Sequence, residues 1–161
     1  MSGFRVGAGF DAHRLVPGRK LMLAGVEVAH PRGLEGHSDG DCAIHALCDA
    51  LLGAAGEGDM GKHFPSADPQ WKGASGASLL ERTVRLVDAR AFAVENVDVT
   101  VIAEQPVLAP YIDKMRAALG RCLALETERV SVKAKSTDGM GATGRGEGIA
   151  AIATVLLTKR E

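Results

Sequence analysis

The sequence predicts an α+β two-layer sandwich, in which helices cover one face of a mixed main sheet. Segments in which every second residue is apolar are interleaved with segments whose apolar residues recur at spacings of three and four. The last such segment, 149–158, is apolar at almost every position, so both of its faces must be buried. The helices would cover one face of the sheet, and a second copy of the chain in a homo-oligomer would cover the other.

The strands are predicted from period-two alternation and from short apolar runs bounded by turn residues. They cover residues 4–10, 20–24, 26–28, 96–104, 130–135 and 149–158. The two short runs form a small hairpin around Gly25, and residues 30–33 are predicted to be loop. The remaining strands give a four-stranded main sheet, for which we predict a ferredoxin-like topology, within a single domain that spans residues 1–161.

Each predicted helix begins at a residue that suits a first turn. The first follows Asp39 or Asp41, either of which can cap it. The second begins at Ser75 or Ser78, and the third begins at Pro110. After each of these first residues, the apolar residues recur at helical spacing, which predicts one buried face for each helix.

Composition excludes several classes of function. The chain has 19 basic and 20 acidic residues and a net charge of -1, so no basic surface for nucleic acid or for an anionic membrane is expected. No apolar run approaches the roughly 20 residues of a membrane-spanning helix. The start of the sequence has no export signal. Cys42, Cys48 and Cys122 lack a metal or redox spacing, so we expect reduced thiols in a cytoplasmic protein.

Asp11, His13 and His45 are candidate metal ligands. Asp11 and His13 lie two residues apart on an extended chain, so their side chains point the same way. Catalytic zinc sites commonly use three protein ligands, from histidines and a carboxylate, and leave one position open. Asp49, one helical turn beyond His45, could hydrogen-bond to one of these ligands on the side away from the metal. The alternative to a metal site is purely structural: a capping aspartate and a core histidine that is hydrogen-bonded. His37 is a further candidate, but its polar surroundings favour contact with substrate over metal binding.

Glycine-rich segments are candidates for phosphate binding. Residues 56–62 match GxxxxGK, but they follow a helix and His63 replaces the Ser or Thr that would bind magnesium, which argues against a P-loop. Residues 139–144 match GxGxxG, but a strand follows them, which argues against a dinucleotide fingerprint. Hydroxyls, carboxylates and Arg145 among the glycines of 136–148 favour a phosphate site over a plain linker.

Four motifs stand in order along nearly the whole chain. They are Gly9-Phe10-Asp11-Ala12-His13, His37-Ser38-Asp39-Gly40-Asp41 with His45, Asp59-Met60-Gly61 with Phe64-Pro65, and Thr143-Gly144-Arg145-Gly146-Glu147-Gly148. Together they resemble the 2-C-methyl-D-erythritol 2,4-cyclodiphosphate synthase family. The resemblance implies a homotrimeric lyase of the non-mevalonate isoprenoid pathway, with active sites between subunits. It would convert 4-diphosphocytidyl-2-C-methyl-D-erythritol 2-phosphate to the cyclic diphosphate and CMP.

The resemblance also implies roles for individual residues. Asp11, His13 and His45 would hold one zinc ion per subunit, and Asp138 would hold magnesium or manganese with the substrate diphosphate. One subunit would bind the methylerythritol phosphate part through Asp11, Ala12, His13, His37, Ser38, Asp59, Met60, Gly61, Phe64, Pro65, Ser66, Ala67 and Asp68. A neighbouring subunit would contact cytosine and the phosphates through Ala103, Glu104, Gln105, Pro106, Val107, Leu108, Ala109, Lys135, Ser136, Thr137, Asp138, Ala142 and Arg145.

In this hypothesis the nucleophile is a phosphate oxygen of the substrate, which is already anionic, so no general base is needed. His37 and Ser136 would make the hydrogen bonds that strengthen in the transition state. Two rival hypotheses use the same residues. A metal-dependent phosphohydrolase would need a residue that activates water, and a metal-stabilised oligomeric binding protein would need a fourth protein ligand that closes the site.

Overall fold

The structure is a computed structural model that describes residues 3–160, so residues 1, 2 and 161 of the predicted domain lie outside the described residues. The strands are β1 (Phe4–Pro17), β2 (Leu21–Leu23), β3 (Val26–Val28), β4 (Arg32–Leu34), β5 (Phe92–Ile102), β6 (Val130–Lys135) and β7 (Gly148–Lys159). The helices are α1 (Cys42–Ala55), α2 (Met60–His63), α3 (Gly76–Ala89), α4 (Ile112–Leu123) and α5 (Gly141–Gly144). The α+β class and the small β2–β3 hairpin are therefore confirmed.

The main sheet has one strand more than predicted. Its order is β4-β1-β7-β5-β6, in which β5 and β6 are parallel and the other neighbours are antiparallel. The sheet is mixed, as predicted, but the four-stranded count was wrong. The additional strand, β4, pairs with Leu15–Pro17 because β1 continues well past Phe10. Sequence reasoning assigned residues 30–33 to a loop because Pro31 and Gly33 are typical loop residues.

The predicted ferredoxin-like topology was also wrong. That topology follows the order β-α-β-β-α-β. Here α4 connects the parallel neighbours β5 and β6, and only the one-turn helix α5 separates β6 from β7. Parallel neighbours need a crossover connection, which α4 provides.

Helices α1, α3 and α4 pack against one face of the sheet, as predicted. The part of β1 below α1 presents glycine to the helix. A Cβ atom on Gly7 would lie 1.9 Å from the Ala50 carbonyl oxygen, and one on Gly9 would lie 1.9 Å from that of Ala46. These two glycines therefore let the helix backbone approach the strand at a distance that no other residue permits.

The other face of β1 and β7 is apolar and exposed. Phe4, Val6 and Phe10 are 59%, 71% and 62% exposed, and Ile152, the cross-strand neighbour of Phe10, is 45% exposed. The large apolar side chains in the first part of β1, at positions 4, 6 and 10, thus point away from the helices. An apolar sheet face of this kind is typical of a protein–protein contact. Among residues 3–160, no helix combines the length and apolar character that crossing a bilayer requires.

Candidate active site

Asp11, His13 and His45 meet where β1 passes the first turns of α1, and we call them the Asp-His-His cluster. Asp11 Oδ2 lies 2.8 Å from His13 Nε2 and 3.0 Å from His45 Nδ1, and these two nitrogens are 3.1 Å apart. All three side chains are partly buried. The structure therefore brings together the three candidate ligands that the sequence indicated, from one strand and one helix.

Both histidines have a hydrogen-bond partner on the ring nitrogen that faces away from the cluster. His13 Nδ1 donates to the carbonyl oxygen of Glu35, and His45 Nε2 lies 2.9 Å from Ser38 Oγ. A proton lies between Asp11 and an imidazole when that ring is protonated on its inner nitrogen, whereas protons on the outer nitrogens alone leave three converging lone pairs. A cation would satisfy all three. Such outer partners accompany metal-binding histidines, and a carboxylate with two imidazoles is a donor set that suits zinc.

The cluster shifts the pKa of two of its members. Burial raises the pKa of Asp11, but the hydrogen bonds with His13 and His45 outweigh this effect and lower it to about 2. The hydrogen bond with Asp11 raises the pKa of His13 above its ordinary value, against the opposing effect of burial. Asp11 is therefore ionised at neutral pH, and a proton competes with any cation for His13.

The polar loop before α1 is held by two aspartates. Asp41, which is fully buried, caps α1 by accepting from the Ile44 amide at 3.0 Å. Its carboxylate also accepts from two amides of the β2–β3 turn, at 2.9 and 2.7 Å. Asp39 accepts from the Gly76 amide at the start of α3, at 2.7 Å. Of the two candidate caps, Asp41 is the one that caps α1, whereas Asp39 links the loop to α3.

His37 is exposed and Ser38 is buried, and both line a cavity that also contains the two histidines of the cluster. The cavity has a volume of about 250 Å³. Its other lining residues are Met60, Phe64, Ser66, Trp71 and Leu79. Several residues that the sequence assigned to substrate therefore share one cavity with the candidate metal ligands.

The segment after α1, which the sequence indicated to be loop, contains the short helix α2. Asp59 caps this helix by accepting from the Lys62 amide at 3.0 Å. Asp49 accepts from the Met60 amide at 2.8 Å, because α2 folds back against α1. Asp49 thus makes a different contact from the predicted one, since its carboxylate holds the 59–61 segment in place. Burial raises the pKa of Asp49.

The other predicted site residues lie beyond the carboxyl ends of β5 and β6. Ala103 follows β5 directly, and its amide donates to the Lys135 carbonyl at 2.9 Å. Ser136 and Asp138 are exposed, and Ser136 Oγ donates to Asp138 Oδ1 at 3.1 Å. Asp138 has a φ of 52°, a left-handed conformation that few residues other than glycine adopt. The carboxyl ends of parallel strands are frequent ligand sites in open sheets.

Residues 135–145, which we call the 135–145 segment, end in the one-turn helix α5. Thr137 Oγ1 donates to the Met140 carbonyl at 2.6 Å, within the segment. Arg145 is exposed and pairs with Glu147 at 2.6 Å. Ala142 lines a second cavity of about 220 Å³, together with Ala12, His13 and five further residues of β1 and the 142–149 region.

Within one chain, the width of the sheet separates Lys135, at the start of the 135–145 segment, from the Asp-His-His cluster, whereas Ala142 near the other end of the segment lines a cavity with His13. Ala12 pairs with Ala150, Ala150 pairs with Ile102, and Ile102 pairs with Lys135. Three strand spacings of about 4.8 Å put the backbone of Lys135 about 14 Å from that of Ala12. Residues 136–138 are not among those that line the cavity of the cluster.

Sequence reasoning missed two contributors to the site. Arg19 donates to the carbonyl oxygens of Gly36 and Ser38, at 3.0 and 2.7 Å, and Glu35 contributes its carbonyl to His13. Every residue has a backbone carbonyl, so the type of residue at position 35 does not indicate that its carbonyl accepts from His13. Arg19 follows a Pro-Gly turn and resembles any surface cation in the sequence, so only the folded structure reveals its contacts.

The fold and the site define a class: an α+β protein in which a carboxylate and two imidazoles form a candidate metal centre beside a cavity of about 250 Å³. The sequence matches the YgbB family over residues 4–158, and the chain belongs to that family.

Relatives with established names are similar over almost the whole chain. A 2-C-methyl-D-erythritol 2,4-cyclodiphosphate synthase of Symbiobacterium thermophilum is 54% identical over 96% of this chain and 99% of its own length. The synthase of Geobacter metallireducens is 51% identical, over 97% of this chain and 99% of its own. A bifunctional enzyme IspD/IspF of Ruegeria pomeroyi is 52% identical over 96% of this chain, which spans 41% of that protein.

Solved structures agree with this assignment. The bifunctional IspDF of Campylobacter jejuni superposes with a TM-score of 0.96 and 37% identity, over 100% of this chain and 44% of that one. A 2C-methyl-D-erythritol-2,4-cyclodiphosphate synthase in its CDP-bound form has a TM-score of 0.88 and 38% identity, over 95% and 99% of the two chains. The chain is accordingly a cyclodiphosphate-forming lyase of isoprenoid biosynthesis.

Proposed function

We propose that the protein converts 4-diphosphocytidyl-2-C-methyl-D-erythritol 2-phosphate to 2-C-methyl-D-erythritol 2,4-cyclodiphosphate and CMP, and that residues 1–161 form one domain for this purpose. The observation that carries the proposal is the Asp-His-His cluster, whose two histidines share one cavity with His37 and Ser38. The names of the relatives supply the reaction class.

The reaction is a transfer within one substrate molecule. An oxygen of the 2-phosphate attacks the β-phosphorus and forms the new P–O bond of the ring. The bond from the β-phosphorus to the oxygen shared with the α-phosphate breaks, and CMP departs with that oxygen and its electron pair. Because the attacking oxygen is already anionic at neutral pH, the protein has to align the two phosphates and needs no general base.

Asp11, His13 and His45 would hold one zinc ion per subunit. The donor set supports this assignment, because the outer nitrogens of both histidines already have partners and the inner lone pairs converge. Bound zinc supplies a Lewis acid for a phosphoryl oxygen. Asp138, on the exposed 135–145 segment, would hold magnesium or manganese, and its carboxylate accepts a hydrogen bond from Ser136 Oγ that orients it.

The other residues that we assign to the same subunit as the cluster would bind and orient the methylerythritol phosphate part of the substrate. The exposed imidazole of His37 would donate to a phosphate oxygen. The buried Ser38 would hold its own backbone next to that phosphate. The 59–61 segment would contact the hydroxyl groups, supported by the Asp49 carboxylate. The apolar wall that Phe64 contributes would exclude water, together with its flanking residues 65–68.

The residues that contact cytosine and the diphosphate would come from a neighbouring subunit of a homotrimer. Residues 103–109 would supply backbone contacts to cytosine, and Lys135, Ser136 and Thr137 would donate to the diphosphate. Ala142 and Arg145 would lie at the edge of this site. Two observations support a shared site: the separation of about 14 Å across one sheet, and the exposed apolar face of β1 and β7.

The test is the identity of the product. The protein is treated with chelator and incubated with the substrate, first alone, then with Zn²⁺, with Mg²⁺ and with both ions. We expect CMP release and the phosphorus NMR signals of a cyclic diphosphate only when both ions are present. Linear phosphates as the products would instead indicate a phosphohydrolase, and full activity without Zn²⁺ would contradict the role of the Asp-His-His cluster.

A further inference from the structure

Arg19 makes two contacts to the loop that carries His37 and Ser38. It lies between β1 and β2, is partly buried, and donates from Nη1 to the Gly36 carbonyl at 3.0 Å and from Nη2 to the Ser38 carbonyl at 2.7 Å. The two acceptors flank His37. We propose that Arg19 is a positioning residue that fixes this loop against the Asp-His-His cluster. This inference rests on the proposed function, because it assigns the cluster to a metal.

The loop touches both histidines of the cluster, so its position affects both. Ser38 Oγ lies 2.9 Å from His45 Nε2. On the other side, a Cβ atom built on Gly36 would lie 3.2 Å from His13 Cε1, which shows how closely the loop backbone passes that ring. A shift of the loop would therefore remove the partner of His45 and the packing against His13 together.

Residues 36–38 belong to no strand or helix, and the loop is tied to β1 and α3 only on either side of them, by the Glu35 amide, which donates to the Arg14 carbonyl at 2.8 Å, and by Asp39, which accepts from the Gly76 amide. Its further backbone hydrogen bonds run from the Gly73 amide to the His37 carbonyl at 2.9 Å and from the Asp39 amide to the Ala74 carbonyl at 3.1 Å. Arg19 adds two charge-assisted hydrogen bonds to carbonyls two residues apart. The guanidinium is suited to this task because its N–H groups have a fixed planar geometry, whereas an ammonium is a single point charge.

The chain offers a matched control in Arg116. This residue also donates to two carbonyls, from Nε to Val130 at 2.8 Å and from Nη2 to Thr127 at 2.7 Å. It lies on α4 and its acceptors precede and begin β6, so it belongs to neither the cluster nor its loop. Loss of Arg116 therefore measures the general effect of removing a guanidinium that bridges two carbonyls.

The experiment compares Arg19→Met, Arg19→Lys and Arg116→Met with the unmodified protein, all with Co²⁺ in place of Zn²⁺. The dissociation constant, the visible absorption spectrum of the bound Co²⁺ and the melting temperature are measured for each. We expect Arg19→Met to raise the dissociation constant about 10- to 100-fold, the range for lost outer contacts of metal ligands, and to change the spectrum. Arg19→Lys should give a smaller rise in the same direction, and Arg116→Met should lower only the melting temperature.

A wild-type dissociation constant and spectrum in Arg19→Met would overturn the inference, and so would an equal loss of Co²⁺ affinity in Arg116→Met. If Arg19→Met does not fold, Arg19→Lys decides: an unchanged dissociation constant contradicts the need for two donors. Failure of the proposed metal site gives a different result, because the unmodified protein would then bind no Co²⁺ at the cluster, and failure of the proposed reaction alone would appear in the product and leave Co²⁺ binding intact.

Discussion

The Asp-His-His cluster and the 135–145 segment differ in where their contacts lie. The cluster is partly buried, and the outer nitrogens of its histidines reach Glu35 and Ser38 of the same chain. The 135–145 segment is mostly exposed, and its side-chain contacts stay within itself or reach Glu147. The first region is organised by contacts within the chain, whereas the second presents exposed groups that substrate and a neighbouring subunit would engage in the proposed site.

This difference predicts that variants in the two regions fail in different ways. Changes around the cluster should act on metal affinity first. Changes in the 135–145 segment should act on the rate of the reaction while the metal remains bound. The following predictions test this separation, in order of expected effect.

His45→Ala should have the largest effect. It removes one of three ligand atoms, so the zinc content should fall from one per subunit to almost none. The value of kcat should fall by about 10³-fold or more, because Lewis-acid stabilisation contributes several kcal/mol. Zinc content by elemental analysis and CMP release check this result. Activity close to wild type in the zinc-free variant would refute the proposed role of the cluster.

Ser136→Ala should lower kcat by about 10²- to 10³-fold, the usual effect of removing one donor that stabilises transition-state charge. Its zinc content should remain that of the wild type, because Ser136 Oγ contacts Asp138 and no member of the cluster. Steady-state kinetics and zinc analysis of the same preparation make the comparison. Loss of zinc together with activity would show that the two regions are not independent.

Ser38→Ala should raise the dissociation constant for zinc about 10- to 100-fold, because His45 Nε2 loses its partner. Competition with a chromophoric chelator measures this constant. Ser78→Ala is a suitable control, since Ser78 is exposed on α3 and, among the described residues, its hydroxyl donates only to the Ser75 carbonyl. Equal affinities in the two variants would mean that Ser38 does not support the cluster.

Zinc affinity should fall as the pH is lowered. The pKa of His13 is raised by Asp11, so protonation begins to displace zinc at a higher pH than for an ordinary histidine. Below that pKa the dissociation constant should rise about tenfold per pH unit, as one proton competes with the metal. Asp11, with a pKa of about 2, stays ionised throughout. An affinity that is constant between about pH 5 and 8 would contradict the competition.

The same pKa shift affects the metal-free protein in the opposite sense. A folded-state pKa of His13 above the unfolded value stabilises the fold at low pH, and this contribution is complete below the unfolded value of about 6.5. It disappears as the pH rises through the folded-state pKa. In the proposed site, zinc would therefore replace at neutral pH the stabilisation that a proton on His13 contributes under mildly acidic conditions.

Local patterns predicted much of the first region. Alternation along β1 was enough to place Asp11 and His13 on one side, and helical spacing was enough to place His45 on the first turns of α1. The partners of the histidines could not be predicted in the same way. Glu35 acts through its backbone carbonyl, and Ser38 depends on a loop whose shape is set by distant residues such as Arg19.

Alternation was less informative about which face of β1 is covered. The apolar side chains at positions 4, 6 and 10 are exposed, and the glycines between them meet α1. In this strand, the face that carries glycine is buried because only glycine lets the helix backbone come so close. The large apolar side chains lie on the opposite face, where a second protein surface could cover them. The parallel pairing of β5 and β6 and the short strand β4 were missed because they depend on pairing between distant segments.

The central claim is that one site combines the cluster of one subunit with the 135–145 segment of another. The direct test mixes His45→Ala protein with the double variant Ser136→Ala, Asp138→Ala, each nearly inactive alone, after dissociation and reassembly. In a cyclic trimer assembled at random from equal amounts, about one quarter of the interfaces pair two intact halves. We therefore expect recovery of about one quarter of wild-type activity. A mixture that stays as inactive as its components would contradict a site shared between subunits.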